Sequence, residues 1–146
     1  MNDVQRFESL KKTIENDPTN FQARRELAVM CLDMGFDSMA LKHLNYLVNT
    51  FPEDANLYFN IGICWEKMKH FKFALESYKK AVELKEDEPD FIYNLALAYE
   101  NLGNDDEALM QFKRVICLEA EDSNSFFCIG CLLSTKGEDE NAAKCF

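Results

Sequence analysis

Four alanines, Ala40, Ala74, Ala108 and Ala142, stand 34 residues apart without a slip. A fixed period of this length means that one supersecondary unit is copied in series. Each copy buries its apolar face against its neighbours, because no single copy can enclose a core alone. The rest of the chain keeps the same stride. In one copy Tyr58, Ile61, Gly62 and Trp65 recur every three to four residues, followed after a break at Lys69-His70 by Phe71, Ala74, Leu75, Tyr78, Ala81 and Val82. The next copy has Ile92, Leu95, Ala96 and Tyr99, then Ala108, Leu109, Phe112 and Val115. These spacings match one helical face at a time, so each unit is expected to be two antiparallel helices of about 13 residues, with an all-α chain as the result.

Glycine placement supports this reading. Gly62 and Gly130 share a slot with Ala28 and Ala96, where a side chain no larger than methyl lets paired helices approach closely. Gly35, Gly103 and Gly137 share a second slot between the two helices, where a C-cap calls for positive φ. Lys69 occupies that turn slot in the second unit, which predicts strain or a different turn there. Pro18 and Pro52 lie at unit junctions, and Pro89 falls where a first helical turn tolerates it.

The aromatic, Ile, Gly, aromatic, Ala, aromatic order of Tyr58, Ile61, Gly62, Trp65, Ala74 and Tyr78 resembles the tetratricopeptide repeat, as does Phe126, Ile129, Gly130, Leu133, Ala142 and Phe146. The first unit departs from the pattern, with Arg24 and Cys31 in two aromatic slots and Leu44 in a third. The resemblance covers residues 21–146 and implies a right-handed α-solenoid with units at 21–54, 55–88, 89–122 and an incomplete 123–146. Residues 1–20 are expected to supply a capping helix, with Val4, Phe7, Leu10 and Ile14 facing the first unit. Solenoid ends need a polar outer face, yet the sequence stops at Phe146, an apolar core slot. This predicts either a continuing chain or an end covered by a partner or by the chain itself.

Charge and chemistry exclude several functions. With 16 Lys and Arg against 26 Asp and Glu the net charge is −10, which disfavours nucleic acid and anionic membranes as partners. No apolar run approaches the about 18 residues of a spanning helix, and the N-terminal residues do not read as a secretory signal. A cytoplasmic chain with reduced thiols at its six cysteines is the expectation. His43 on an outward helix face and His70 at a turn lack a carboxylate or cysteine at catalytic or metal spacing. Cys128-x-x-Cys131 has no second pair, whereas zinc needs four ligands. No phosphate loop or nucleophile elbow is present. Neither enzyme, cofactor nor metal is expected. The acidic clusters at 86–90 and 119–122 suit helix starts. Lys67, Lys69, Lys72, Lys79 and Lys80 form a basic island, read as a solvated face or a docking site for an acidic partner.

In tetratricopeptide arrays the first helix of each unit lines a concave surface where partner peptides lie. Carried over slot by slot, the resemblance implies a groove of Arg25 and Val29 in the first unit, and Phe59, Asn60 and Ile63 in the second. The third contributes Tyr93, Asn94 and Leu97, and the fourth Phe127 and Cys131. Phe59, Tyr93 and Phe127 would form an aromatic ladder, and exposed apolar surface marks interaction sites. Asn60 and Asn94 carry donors and acceptors able to pair with an extended backbone. Their slot is similar to the asparagine ladder of O-linked N-acetylglucosamine transferase, with Glu26 and Cys128 replacing the flanking rungs. The carboxylate clamp that holds heat-shock chaperone tails does not fit, because Val29 replaces its Asn and Asp90 and Asn94 stand where cations belong. The expectation is a non-catalytic adaptor, scaffold or secretion-type chaperone that binds an extended, partly apolar segment of another protein. The alternatives are the targeting arm of a larger enzyme and a module that self-associates through its uncapped C-terminal end.

Overall fold

The structure, a computed structural model, describes residues 2–119; Phe127, Cys131, Ala142 and the rest of the fourth unit lie outside them. Helices α1 (Asp3–Asn16), α2 (Phe21–Asp33), α3 (Asp37–Thr50), α4 (Ala55–Lys67), α5 (Phe71–Leu84), α6 (Pro89–Asn101) and α7 (Asp105–Leu118) follow one another, each packed on the next. The described residues hold no strand. This is an all-α solenoid of antiparallel hairpins, α2–α3, α4–α5 and α6–α7, preceded by α1.

Local sequence sets the helix ends. Asn2 and Gln5 form a reciprocal capping box at α1, and Asn20 and Asp54 cap α2 and α4 through the backbone N–H groups of Ala23 and Asn56. Pro89 opens α6, where the missing N–H costs nothing. Each turn inside a hairpin closes with the same wide hydrogen bond. The N–H groups of Phe36, His70 and Asn104 donate to the carbonyls of Cys31, Trp65 and Tyr99 at 2.8–2.9 Å. That geometry puts Gly35 and Gly103 at φ 81° and 78°. Lys69 is driven to φ 65° in the same turn. The geometry is the same in all three units, and the lysine bears the steric cost.

The core repeats with the period. Ala40, Ala74 and Ala108 are fully enclosed, as are Tyr78 and Phe112. Gly62 lies under the Tyr78 ring; a Cβ there would sit 2.5 Å from Cε1. Phe7 and Ile14 of α1 are buried against the first hairpin, each contributing about 1.5–3 kcal/mol of apolar burial. Val4, expected on that face, is 65% exposed.

Arg24 shows how the first unit accommodates a cation in an aromatic slot. Only 8% exposed, its guanidinium lies over the Tyr46 ring at 3.8 Å, a planar group standing in for a ring. Nη2 donates to the Pro18 carbonyl at 3.4 Å, and Nη1 lies 3.0 Å from His43 Nδ1. His43, expected on an outward helix face, is therefore half-buried and engaged. Burial, then Arg24 and Lys42, lowers its pKa, and because a guanidinium can only donate, the neutral ring accepts a hydrogen bond from Arg24 at Nδ1. Cys31 and Cys64 are buried free thiols, whereas the free thiol of Cys117 is exposed.

Candidate peptide-binding face

Helices α2, α4 and α6 lie side by side, and three lateral contacts hold them. Arg25 pairs with Asp54, the cap of α4, at 2.9 Å, with its guanidinium 5.0 Å from the Phe51 ring centroid. Lys67 Nζ donates to the Leu32 carbonyl at 2.7 Å, adding a cationic donor at the C-terminal end of α2. Phe59 stacks on Phe91 of α6 at 4.7 Å. The first of these commits Arg25, a residue expected to face a ligand, to internal structure.

The aromatic ladder is half sunk. Phe59 is half-buried, also meeting the Tyr78 ring at 5.7 Å. Tyr93 is half-buried with its ring edge-on to Phe112 at 5.8 Å. Each ring thus leans on the enclosed aromatic of the following helix and leaves part of its surface accessible. Ile63 and Leu97 are half-buried beside the same core, and Val29 is 48% exposed.

The two asparagines differ. Asn94 donates from Nδ2 to the Asp90 carbonyl one turn earlier at 2.8 Å, which leaves Oδ1 as an acceptor. Asn60 makes no side-chain hydrogen bond among the described residues and is half-buried. Arg25 and Val29 come together, with Arg6 and Gln22, at a depression of about 330 Å³ where α1 meets α2. Arg6 and Glu26 pair across it at 2.9 Å. Ile63 and Asn94 meet in a larger cleft of about 590 Å³ between α4 and α6.

Sequence reasoning missed the other walls of that cleft: Glu66, Lys67, Lys69, Phe71 and Asn101. Lys67 and Asn101 stand one period apart, so an inward-facing slot at the end of the first helix was readable from the stride. Glu66 accepts a hydrogen bond from the Tyr78 hydroxyl at 2.5 Å. Burial first, then this hydrogen bond and the Glu66 charge, pushes the tyrosine pKa well above its ordinary value. The fold splits the basic island, with Lys67 and Lys69 at the cleft and Lys79 and Lys80 in ion pairs of their own. Lys67 caps α2, Lys79 pairs with Glu76 at 3.8 Å and lies over Tyr99, and Lys80 pairs with Glu83 at 3.7 Å.

Among the described residues no group of three or more His, Cys, Asp or Glu side chains could hold a metal ion, and no helix is long and apolar enough to cross a membrane.

Family models match two stretches of the chain, one described as a TPR repeat over residues 71–103 and one as a tetratricopeptide repeat over 89–122. No curated protein matches the sequence. Among solved structures, MamA superposes with a TM-score of 0.92 at 24% identity, covering 96% of this chain and 82% of that one. YrrB, a TPR protein described as having an unusual peptide-binding site, gives 0.83 at 23% identity, over 97% of this chain and 75% of that one. A thermophilic TPR protein of Thermus thermophilus gives 0.71 at 19%, over 95% and 77%. At such identities the likeness speaks for the fold.

Proposed function

Starting from the premise that this chain is a tetratricopeptide-repeat protein, a class built for protein–protein interaction, we propose that it is a non-catalytic adaptor. Its α2–α4–α6 face takes up an extended, partly apolar segment of another protein. The observation that carries this reading is the α4–α6 cleft, where apolar Ile63 and the acceptor oxygen of Asn94 share one wall system beside Lys67 and Asn101. An extended peptide offers backbone donors and acceptors along its length with alternate side chains between them. Half-accessible Phe59 and Tyr93 provide apolar contact, while Asn60 and Asn94 bind backbone without regard to sequence. The peptide-binding site ascribed to YrrB lends support from a protein of the same fold.

Arg25, held by Asp54, shapes the groove and leaves direct contact to its neighbours. Phe127 and Cys131 would extend the face beyond the described residues. Scaffold and chaperone-like roles are forms of the same activity and share its site.

The test uses a displayed library of random dodecapeptides. Peptides selected on the chain are measured by calorimetry against the double variant Asn60→Ala, Asn94→Ala. A loss of about 1–3 kcal/mol in affinity is expected. Unchanged affinity removes the asparagines from the mechanism, and failure to select any peptide removes the groove.

A further inference from the structure

A second cleft, of about 560 Å³, opens between α1, α2 and α3. It shares no lining residue with either depression on the peptide-binding face. Its lining combines an apolar part, Ile14, Leu27 and Met39, with a basic part, Lys11, Lys42 and Arg24, against the single carboxylate of Glu15. Three cations to one anion is a reversal of the sign of this chain, whose net charge is −10. Lys42 is exposed at the rim, Lys11 is half-buried, and Arg24 is buried, at 8% exposure.

Arg24 makes this cleft more than a charged surface. A guanidinium stays protonated in any protein environment, and a buried charge is stable only when it is paired. Yet no carboxylate among the described residues forms an ion pair with it. Its partners are a carbonyl, a neutral imidazole and a ring face. Its enclosed Nε–H has no acceptor among the described residues. The hydrogen bond from Arg24 uses His43 Nδ1, which leaves the imidazole proton on Nε2 as a further donor beside the cleft.

We propose that this cleft binds a small amphiphilic anion, its oxyanion against Arg24, Lys11 and Lys42 and its short apolar body over Ile14, Leu27 and Met39. The oxyanion supplies the counter-charge that Arg24 lacks. The apolar part selects against bare inorganic anions. Carboxylate and phosphomonoester share this recognition chemistry, and separate arms of the test tell them apart.

The 146-residue chain is titrated with hexanoate, hexyl phosphate, hexanol and inorganic phosphate while the arginine Nε–H and backbone amide resonances are followed. Saturable binding of hexanoate or hexyl phosphate that moves the Arg24 Nε–H signal is expected, weakening as salt rises. The tighter of the two identifies the oxyanion. Lys42→Gln, at an exposed rim position, should weaken binding by roughly threefold with the fold intact. Arg24→Leu should weaken it by tenfold or more, about the worth of a hydrogen bond to a charged group. Binding of hexanol as tight as that of the anions would reduce the site to an apolar cavity, and equal binding of inorganic phosphate would remove the apolar part. Either result overturns the proposal, as does no saturable response or an anion affinity indifferent to Lys42→Gln and Arg24→Leu.

Discussion

Replacing Gly62 by alanine should destabilise the chain even though alanine is the better helix former. The new methyl would lie 2.5 Å from Tyr78 Cε1, 2.6 Å from Cδ1 and 3.0 Å from Cζ, where ordinary carbon contacts need about 3.5–4.0 Å. The ring must therefore retreat by about 1 Å. It cannot do so freely, since Tyr78 is fully enclosed and its hydroxyl is tethered to Glu66. Overpacking of this kind costs about 1–3 kcal/mol, and the gain in helix propensity returns up to about 1 kcal/mol. With the full propensity gain the net loss should be about 0–2 kcal/mol. The third unit supplies the control, because Ala96 and Phe112 occupy the equivalent slots and both are fully buried. Phenylalanine has no hydroxyl tether, so in a Tyr78→Phe background Gly62→Ala should become neutral or stabilising. Urea unfolding followed by far-ultraviolet circular dichroism and by the fluorescence of Trp65, the single tryptophan, gives all four corners of the cycle. An equal cost in both backgrounds would refute the tether, and no cost in either would refute the close approach.

The same packing sets three further outcomes. Lys69→Gly should stabilise by about 0.5–1 kcal/mol, the left-handed penalty less the backbone entropy of glycine, and Gly103→Lys should do the reverse; thermal midpoints decide both. Stability should fall as pH rises from 9 towards 12, because burial, aided by Asp37, raises the Cys64 thiol from 9.0 to about 12. The unfolded chain releases that proton first, at up to about 1.4 kcal/mol per pH unit, and Tyr78 adds to the loss above its ordinary value; Cys64→Ala should flatten the slope between pH 9 and 10 in denaturant titrations. Phe59→Ala should cost about 2 kcal/mol of stability, less than for a fully buried ring, because it loses the stack on Phe91; an unchanged unfolding midpoint would refute a stabilising role for that stack.

The helices and much of the core were legible in the sequence because a serial repeat makes structure nearly one-dimensional. Slot identity told that Ala40, Ala74 and Ala108 are interior, that Gly35 and Gly103 turn left-handed, and that Lys69 is out of place. The candidate face was only partly legible. Asn60, Ile63, Asn94 and Leu97 lie on the helices named for it, but how deeply Phe59 and Tyr93 sink depends on Phe91, Tyr78 and Phe112 from neighbouring helices. Arg24 was visible as a break in the pattern, and nothing in its surroundings along the chain told of Tyr46 or His43.

Sequence alone thus determined the period, the hairpins and which residues share a slot, since these follow from spacing within one or two helical turns. Tertiary structure decided which polar groups are spent and which are spare. Arg25 reaches Asp54, and Lys67 reaches the Leu32 carbonyl 35 residues away. Arg24 stays buried with no described carboxylate beside it. Such pairings depend on how adjacent units stack, and identical slots carry different partners in each unit because their neighbours differ.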